Sequence, residues 1–180
     1  MSKIIIGIVG ENASGKTTAT EYLKQKYGAV CFRFSDALSD VLKRLHLETT
    51  RANLQNLSTV LRQNFSEDLL SKVIAEDVVK SDAPIIITEG VRRPSDIEYL
   101  KKLPGFYLAA IKTDEKIRYQ RLLTRGEKPD DATKTWEQFQ TEGHQESEQK
   151  ILEIAATANI TIDNNGSLEN FYQQLDQLCK

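Results

Sequence analysis

Eight residues near the start of the chain, Gly10-Glu11-Asn12-Ala13-Ser14-Gly15-Lys16-Thr17, combine the types needed to hold an anion. Glycines let the backbone curl so that several N–H groups converge on one point. Lysine adds a mobile positive charge, and a threonine hydroxyl can ligate a divalent cation. The spacing is G-x-x-x-x-G-K-[ST], the pattern of a phosphate-binding loop. Lys16 is expected to reach the β- and γ-phosphates of ATP, Thr17 to ligate Mg2+, and Thr18 to extend the ATP-binding set that starts at Gly10.

Other groups suit the second half of a phosphate chemistry. Asp36 is placed either to cap a helix or to orient and deprotonate an acceptor hydroxyl. Glu89, in Glu89-Gly90-Val91-Arg92, is a candidate to hold Mg2+ through water, and Arg92 to grip a phosphate. Arg51, Gln55 and Arg62 fall within about 40° of one another at helical periodicity, a polar wall for an anionic acceptor. Arg118, Arg121 and Arg125 fall within about 60°. Arg121 and Arg125 are expected to neutralise charge on the moving phosphoryl group. Arg118 is read more readily as a surface ion pair, and Lys128 as a weaker member of the same lid. In Asp163-Asn164-Asn165-Gly166-Ser167, Asn165 and Gly166 are placed to contact the nucleotide.

The elements that must position these groups alternate between the two periods. Ile4 to Val9, Ala29 to Phe34, Pro84 to Thr88, Phe106 to Ile111 and Asn159 to Ile162 read as strands. Helices are expected over Thr17–Tyr27 with Gly28 at the end, Ala37–Leu45, Thr50–Phe65 and Ser66–Lys80. Further helices are expected over Pro94–Lys102, Asp114–Arg125, Thr135–Ala158 with a break at Gly143, and Ser167–Cys179. Thr50, Ser66, Asp114 and Ser167 are the expected caps. Five strands each followed by helix predict an α/β, three-layer, doubly wound parallel sheet. In such a sheet, ligands bind beyond the carboxyl ends of the strands, where most of these candidates fall.

The 180 residues are expected to form a single domain. A helical acceptor-binding insertion spans about 36–82, and a lid about 125–145. With 39% hydrophobic and 28% charged residues and a net charge of −2, no general nucleic-acid or membrane binding is expected. No apolar run reaches membrane-spanning length, and the chain enters a strand without a leader pattern, so the expected location is cytoplasmic. Cys31 and Cys179 lack metal-ligand spacing and read as free thiols. The isolated His46 and His144 are given no metal.

With these residues in hand, the whole chain resembles the P-loop nucleotide kinases. It is most similar to the group of dephospho-coenzyme A kinases and (deoxy)nucleoside monophosphate kinases. Gly10 to Thr18 carries the loop. Glu89-Gly90-Val91-Arg92 resembles the Asp-Gly-hydrophobic-Arg segment, with Glu in place of Asp. Arg121-Leu122 and Arg125 resemble the arginines that open the lid. Ile162 to Leu168 resembles a strand-to-helix turn near the adenine, and Arg51, Gln55 and Arg62 an acceptor-side helix. The resemblance implies Mg2+-dependent transfer of the γ-phosphate of ATP to a small phosphate-bearing acceptor, by a monomer or homodimer. A (deoxy)nucleoside monophosphate leads. Alternatives are dephospho-coenzyme A, phosphorylated on a ribose hydroxyl, and a regulatory P-loop NTPase without an acceptor.

Overall fold

The computed structural model describes residues 3–125, 131–144 and 146–180, the side chains of 125 and 146–148 apart. Strands β1 (Ile4–Val9), β2 (Val30–Arg33), β3 (Ile85–Glu89), β4 (Phe106–Lys112) and β5 (Ile160–Asp163) form one parallel sheet in the order β2-β3-β1-β4-β5. β1 is central. It pairs with β3 from Ile4↔Ile85 to Gly7↔Thr88, and with β4 from Ile5↔Phe106 to Val9↔Ala110. Position explains composition. β1 and β3 are covered on both faces, so Ile-rich runs replace alternation. The edge strands β2 and β5 are short and partly exposed.

Eight α-helices complete the described chain: α1 (Lys16–Tyr27), α2 (Phe34–Arg44), α3 (Arg51–Asn64), α4 (Leu69–Lys80), α5 (Glu115–Arg125), α6 (Trp136–Gly143), α7 (Glu146–Ala156) and α8 (Leu168–Gln177). One sheet face buries Ala19 and Leu23 of α1 against Phe171 and Leu175 of α8. The other buries Leu38 of α2, Ile74 and Val78 of α4 and Ile154 of α7. The layers are therefore helix, sheet, helix, as the alternation predicts. The chain reverses direction across the sheet at β1, which opens a crevice at its carboxyl end.

Several boundaries move for physical reasons. Phe34 was expected to end β2 but begins α2: its side chain is buried, and Asp36 accepts from the Arg33 backbone N–H at 3.2 Å, which stops the strand. Arg33, not Asp36, is thus the residue at the helix cap. Thr50 and Ser167 cap as expected, accepting from Asn53 and Asn170 N–H groups. Ser66 does not act through its side chain; its carbonyl takes the Leu69 N–H, and α4 starts later. The expected helix from Pro94 is two 3-10 turns, Pro94–Ile97 and Leu100–Lys102. Ile97 and Leu100 are both buried three residues apart, the spacing such turns eclipse.

Candidate active site

The phosphate loop fills the short span between β1 and α1. Ala13 at φ 60° and Gly15 at φ 104° put left-handed residues into it, which curls successive amides into an anion-binding concavity. A side chain at Gly15 is excluded twice. Its backbone is left-handed, and a Cβ there would lie 2.3 Å from the Asn164 side-chain nitrogen. Gly10 is equally confined, since a Cβ would lie 2.8 Å from the Ile111 carbonyl. Lys16 crosses back over the loop and donates to the Gly10 and Glu11 carbonyls, each at 2.8 Å. Thr17 and Thr18 are exposed at its mouth.

Three distant segments lock the loop in place. The Ser14 carbonyl accepts from the Thr113 hydroxyl at 3.0 Å and from the Asn164 amide at 2.8 Å. Asn164, only 5% exposed, in turn receives Arg121 on its backbone carbonyl at 3.0 Å and on Oδ1 at 3.3 Å. The other terminal amine of Arg121, Nη1, is buried with no hydrogen-bond partner among the described residues, and burial lowers the guanidinium's pKa. Arg118 is the third tie. It donates to Glu11 Oε1 at 2.9 Å, more distantly to the Asn12 carbonyl, and to the Thr113 carbonyl. Its guanidinium also sits 5.5 Å from the centre of the Phe139 ring. Arg118 is therefore no surface ion pair but a buried brace for the loop.

At the end of β3, Glu89 is 8% exposed. Oε1 accepts from the Thr20 hydroxyl on α1, and Oε2 from Arg33 Nε at 2.9 Å. Arg33 is held by this bond, which also raises its pKa. Thr20 lies one turn beyond Thr17, so Glu89 stands against the first turns of α1, on the side of the loop that carries Thr17. Both carboxylate oxygens are engaged, but each keeps a further lone pair for a bound water. Among the described residues no group of three His, Cys, Asp or Glu side chains gathers to hold a metal. The Thr17 hydroxyl and the Glu89 carboxylate are oxygen donors of the kind that suits Mg2+ keeping most of its waters.

The acceptor side departs from the expected wall. Arg51 and Gln55 are exposed on α3. Arg62 is not beside them in the open; it is 7% exposed and paired with Asp96 at 2.6 Å, while Nη1 donates to the Glu67 carbonyl. Asp96, 2% exposed, also accepts the backbone N–H groups of Arg92 at 2.8 Å and Arg93 at 3.0 Å. Arg62 thus braces the loop that presents Arg92, whose own side chain is exposed. Asp36 is exposed and turned back on its helix cap.

Asn165 spends its side chain on the Asp114 N–H and on Asp163, and Gly166 is exposed beside it. The side chain of Arg125, and all of Lys128, lie outside the described residues, as does part of the expected lid. Its described part is docked: the Tyr119 hydroxyl donates to the Lys134 carbonyl at 2.8 Å, and Tyr119, Trp136 and Phe139 form one aromatic cluster. Lys134 pairs with Glu142. Sequence reasoning passed over Arg33, Thr20, Asp96 and Asn164. For Asn164 a signal existed, because it stands in the same strand-end turn as Asn165.

Sheet order, loop and strand-end residues together define a P-loop kinase-like domain. Residues 6–152 match a family model described as an AAA domain. The chain belongs to that family, and with it to the UPF0200 proteins. A UPF0200 protein of Methanocaldococcus jannaschii is 31% identical over 98% of this chain and 89% of its own. One from Sulfurisphaera tokodaii is 30% identical over 98% and 96%. Among solved structures, TT1252 from Thermus thermophilus aligns with a TM-score of 0.60 at 17% identity, covering 99% of this chain and 97% of that one. A shikimate kinase from Aquifex aeolicus aligns at 0.57 and 14% identity, covering 98% and 96%. These likenesses are of fold. Among the described residues no helix is long and apolar enough to cross a membrane.

Proposed function

We propose that the chain is an ATP-dependent phosphotransferase acting on a small phosphate-bearing acceptor, first of all a (deoxy)nucleoside monophosphate. One observation carries the reading: Asn164 ties Arg121 to the phosphate loop, leaving a desolvated, unpartnered guanidinium N–H of Arg121 among the described residues. A donor stripped of water and fixed in place costs no reorganisation when charge develops. Such a group suits a moving phosphoryl group better than a resting surface.

In this mechanism the loop amides and Lys16 hold the donor phosphates. Mg2+, when bound with ATP through Thr17 and the water shell on Glu89, supplies charge neutralisation. Arg92 aligns the acceptor phosphate, and Arg121, with Arg125, stabilises the transferring group. An acceptor phosphate oxygen forms its bond to the γ-phosphorus as the bond to the β,γ-bridging oxygen breaks, releasing ADP. A monophosphate oxygen is already ionised near neutral pH and needs no strong base. Catalysis is then mostly positioning and electrostatics.

Asp36 favours a second reading. It is exposed, and only one of its oxygens is bonded among the described residues. That leaves a carboxylate oxygen for a hydroxyl acceptor, as dephospho-coenzyme A would require. A panel of nucleoside monophosphates and dephospho-coenzyme A, each with ATP and Mg2+, tests both. The expected result is accelerated ADP release matched by an acceptor heavier by one phosphoryl group. Slow ADP release unchanged by every acceptor would overturn phosphotransfer in favour of a regulatory NTPase.

A further inference from the structure

We propose that Arg33 is the acceptor-side anion site of this protein, and that its guanidinium fork takes the phosphate monoester of the acceptor. This rests on the phosphotransfer reading and says where its second substrate is held. Arg33 is the last residue of β2, at the carboxyl edge of the sheet, directly paired in register with Glu89. Only its Nε is used, on Glu89 Oε2; neither terminal amine has a hydrogen-bond partner among the described residues. A guanidinium fixed through Nε keeps its planar fork aimed, which suits bidentate phosphate oxygens.

The surroundings agree. The Arg33 side chain is 43% exposed while the side chain of Glu89 is 11% exposed, so the pair is anchored on its inner side and open on its outer side. Arg33 lines a cleft of about 370 Å³ whose other charged members are Asp36 and the pair Lys24 with Glu21, so Arg33 is the cation there not paired within the cleft. The loop that carries Arg92 leaves β3 against the start of α2: a Cβ at Gly90 would sit 3.8 Å from Phe34. The loop that leads to Arg92 therefore starts beside the strand end that carries Arg33. Arg62, by contrast, has given its charge to a buried carboxylate. The inner carboxylate of Glu89 also links the two substrates, since one oxygen faces α1 of the donor loop and the other holds Arg33.

The test is calorimetric titration of protein already saturated with Mg2+ and a non-hydrolysable ATP analogue, which fills the phosphate loop. The probes are the common ribo- and deoxyribonucleoside monophosphates. At least one is expected to bind saturably. Arg33→Gln should weaken that binding by about tenfold or more, the loss of a charged bidentate contact. Arg33→Lys, which keeps the charge but not the fork, should fall between. The affinity for the ATP analogue should move by less than about twofold in both variants, within the scatter of an indirect change.

Unchanged mononucleotide binding in Arg33→Gln overturns the proposal, and so does the absence of any saturable probe. Equal weakening of analogue and mononucleotide also overturns it, because Arg33 would then act only through Glu89. Mononucleotide binding that depends on Arg33, with ADP release unchanged by every acceptor of the panel, keeps this site and overturns the phosphotransfer reading. Transfer with an unchanged acceptor KM in Arg33→Gln does the reverse.

Discussion

The two sides of the crevice, donor and acceptor halves in the proposed function, are built on opposite plans. On the donor side nearly every group that shapes the phosphate loop is buried and cross-tied: Thr113 and Asn164 on the Ser14 carbonyl, Arg121 on Asn164, Arg118 on Glu11. On the acceptor side Arg51, Gln55 and Arg92 stand in solvent, and one buried pair, Arg62 with Asp96, carries the bracing. The difference teaches where generality and choice reside. A triphosphate demands the same concavity whatever the second substrate is, so its cradle can be rigid. On the proposed reading, recognition of the acceptor falls to exposed cations, Arg92 presented by the Arg62–Asp96 pair and Arg33 anchored on Glu89.

The largest expected effect lies at the centre of the donor half. Lys16→Ala should lower kcat/KM by at least about a thousandfold, because it removes the loop's own charge on the β- and γ-phosphates; ADP release with the best acceptor measures it. Asn164→Ala removes two ties at once, and kcat should fall about tenfold to a hundredfold, the order seen when preorganised donors are lost or misplaced. If Asn164→Ala leaves kcat intact, the cradle is not held as rigidly as this contrast requires.

Arg62→Met tests the acceptor half. It strands a buried carboxylate, so unfolding in urea should show a loss of about 3–5 kcal/mol. Acceptor KM should rise about tenfold through misplacement of Arg92, with KM for ATP steady within about twofold. Combining it with Asp96→Asn should cost less than the two single changes summed, since the pair couples directly. A rise in KM for ATP as large as that for the acceptor would erase the division between the halves.

Smaller effects come from the donor half's rear face, where Asp176 accepts from Tyr22, Tyr27 and Lys26. The bond from Lys26, before those of the tyrosines, holds the Asp176 carboxyl down at about 2. A depressed carboxyl stabilises the fold above its unfolded value, near 4, and that contribution is lost as pH falls toward 2. The melting temperature of Asp176→Asn should therefore trail the parent at pH 6 and converge with it in acid. The smallest effect on activity is expected at the edge strand β2. Burial pushes the Cys31 thiol up to about 12, so alkylation by iodoacetamide at pH 8 should be far slower than for a free thiol.

The sheet was legible in the sequence because central parallel strands leave uninterrupted Ile-rich runs, and Ile4 to Val9 and Ile85 to Ile87 are such runs. The phosphate loop was legible because its chemistry is local: eight consecutive residues suffice. Partnerships between strands were not. Nothing in the spacing of Arg62 indicates that Asp96, 34 positions later, will take its charge. The helical period placed Arg62 on a face with Arg51 and Gln55, but which part of a face is buried depends on what the next loop brings to it. Arg118 went unrecognised for the same reason, since Glu11 lies 107 positions away.

The central place of β1 has a consequence for the order of assembly. The strand that carries the phosphate loop precedes both of its neighbours by a long interval, since they begin at Ile85 and Phe106. Closing such long intervals loses chain entropy before any pairing repays it, so this topology favours slow, non-local folding. The latch arrives later still, because Asn164 reaches Ser14 across 150 positions. During synthesis the phosphate loop must therefore wait for the turn after β5 before its amides are held in place.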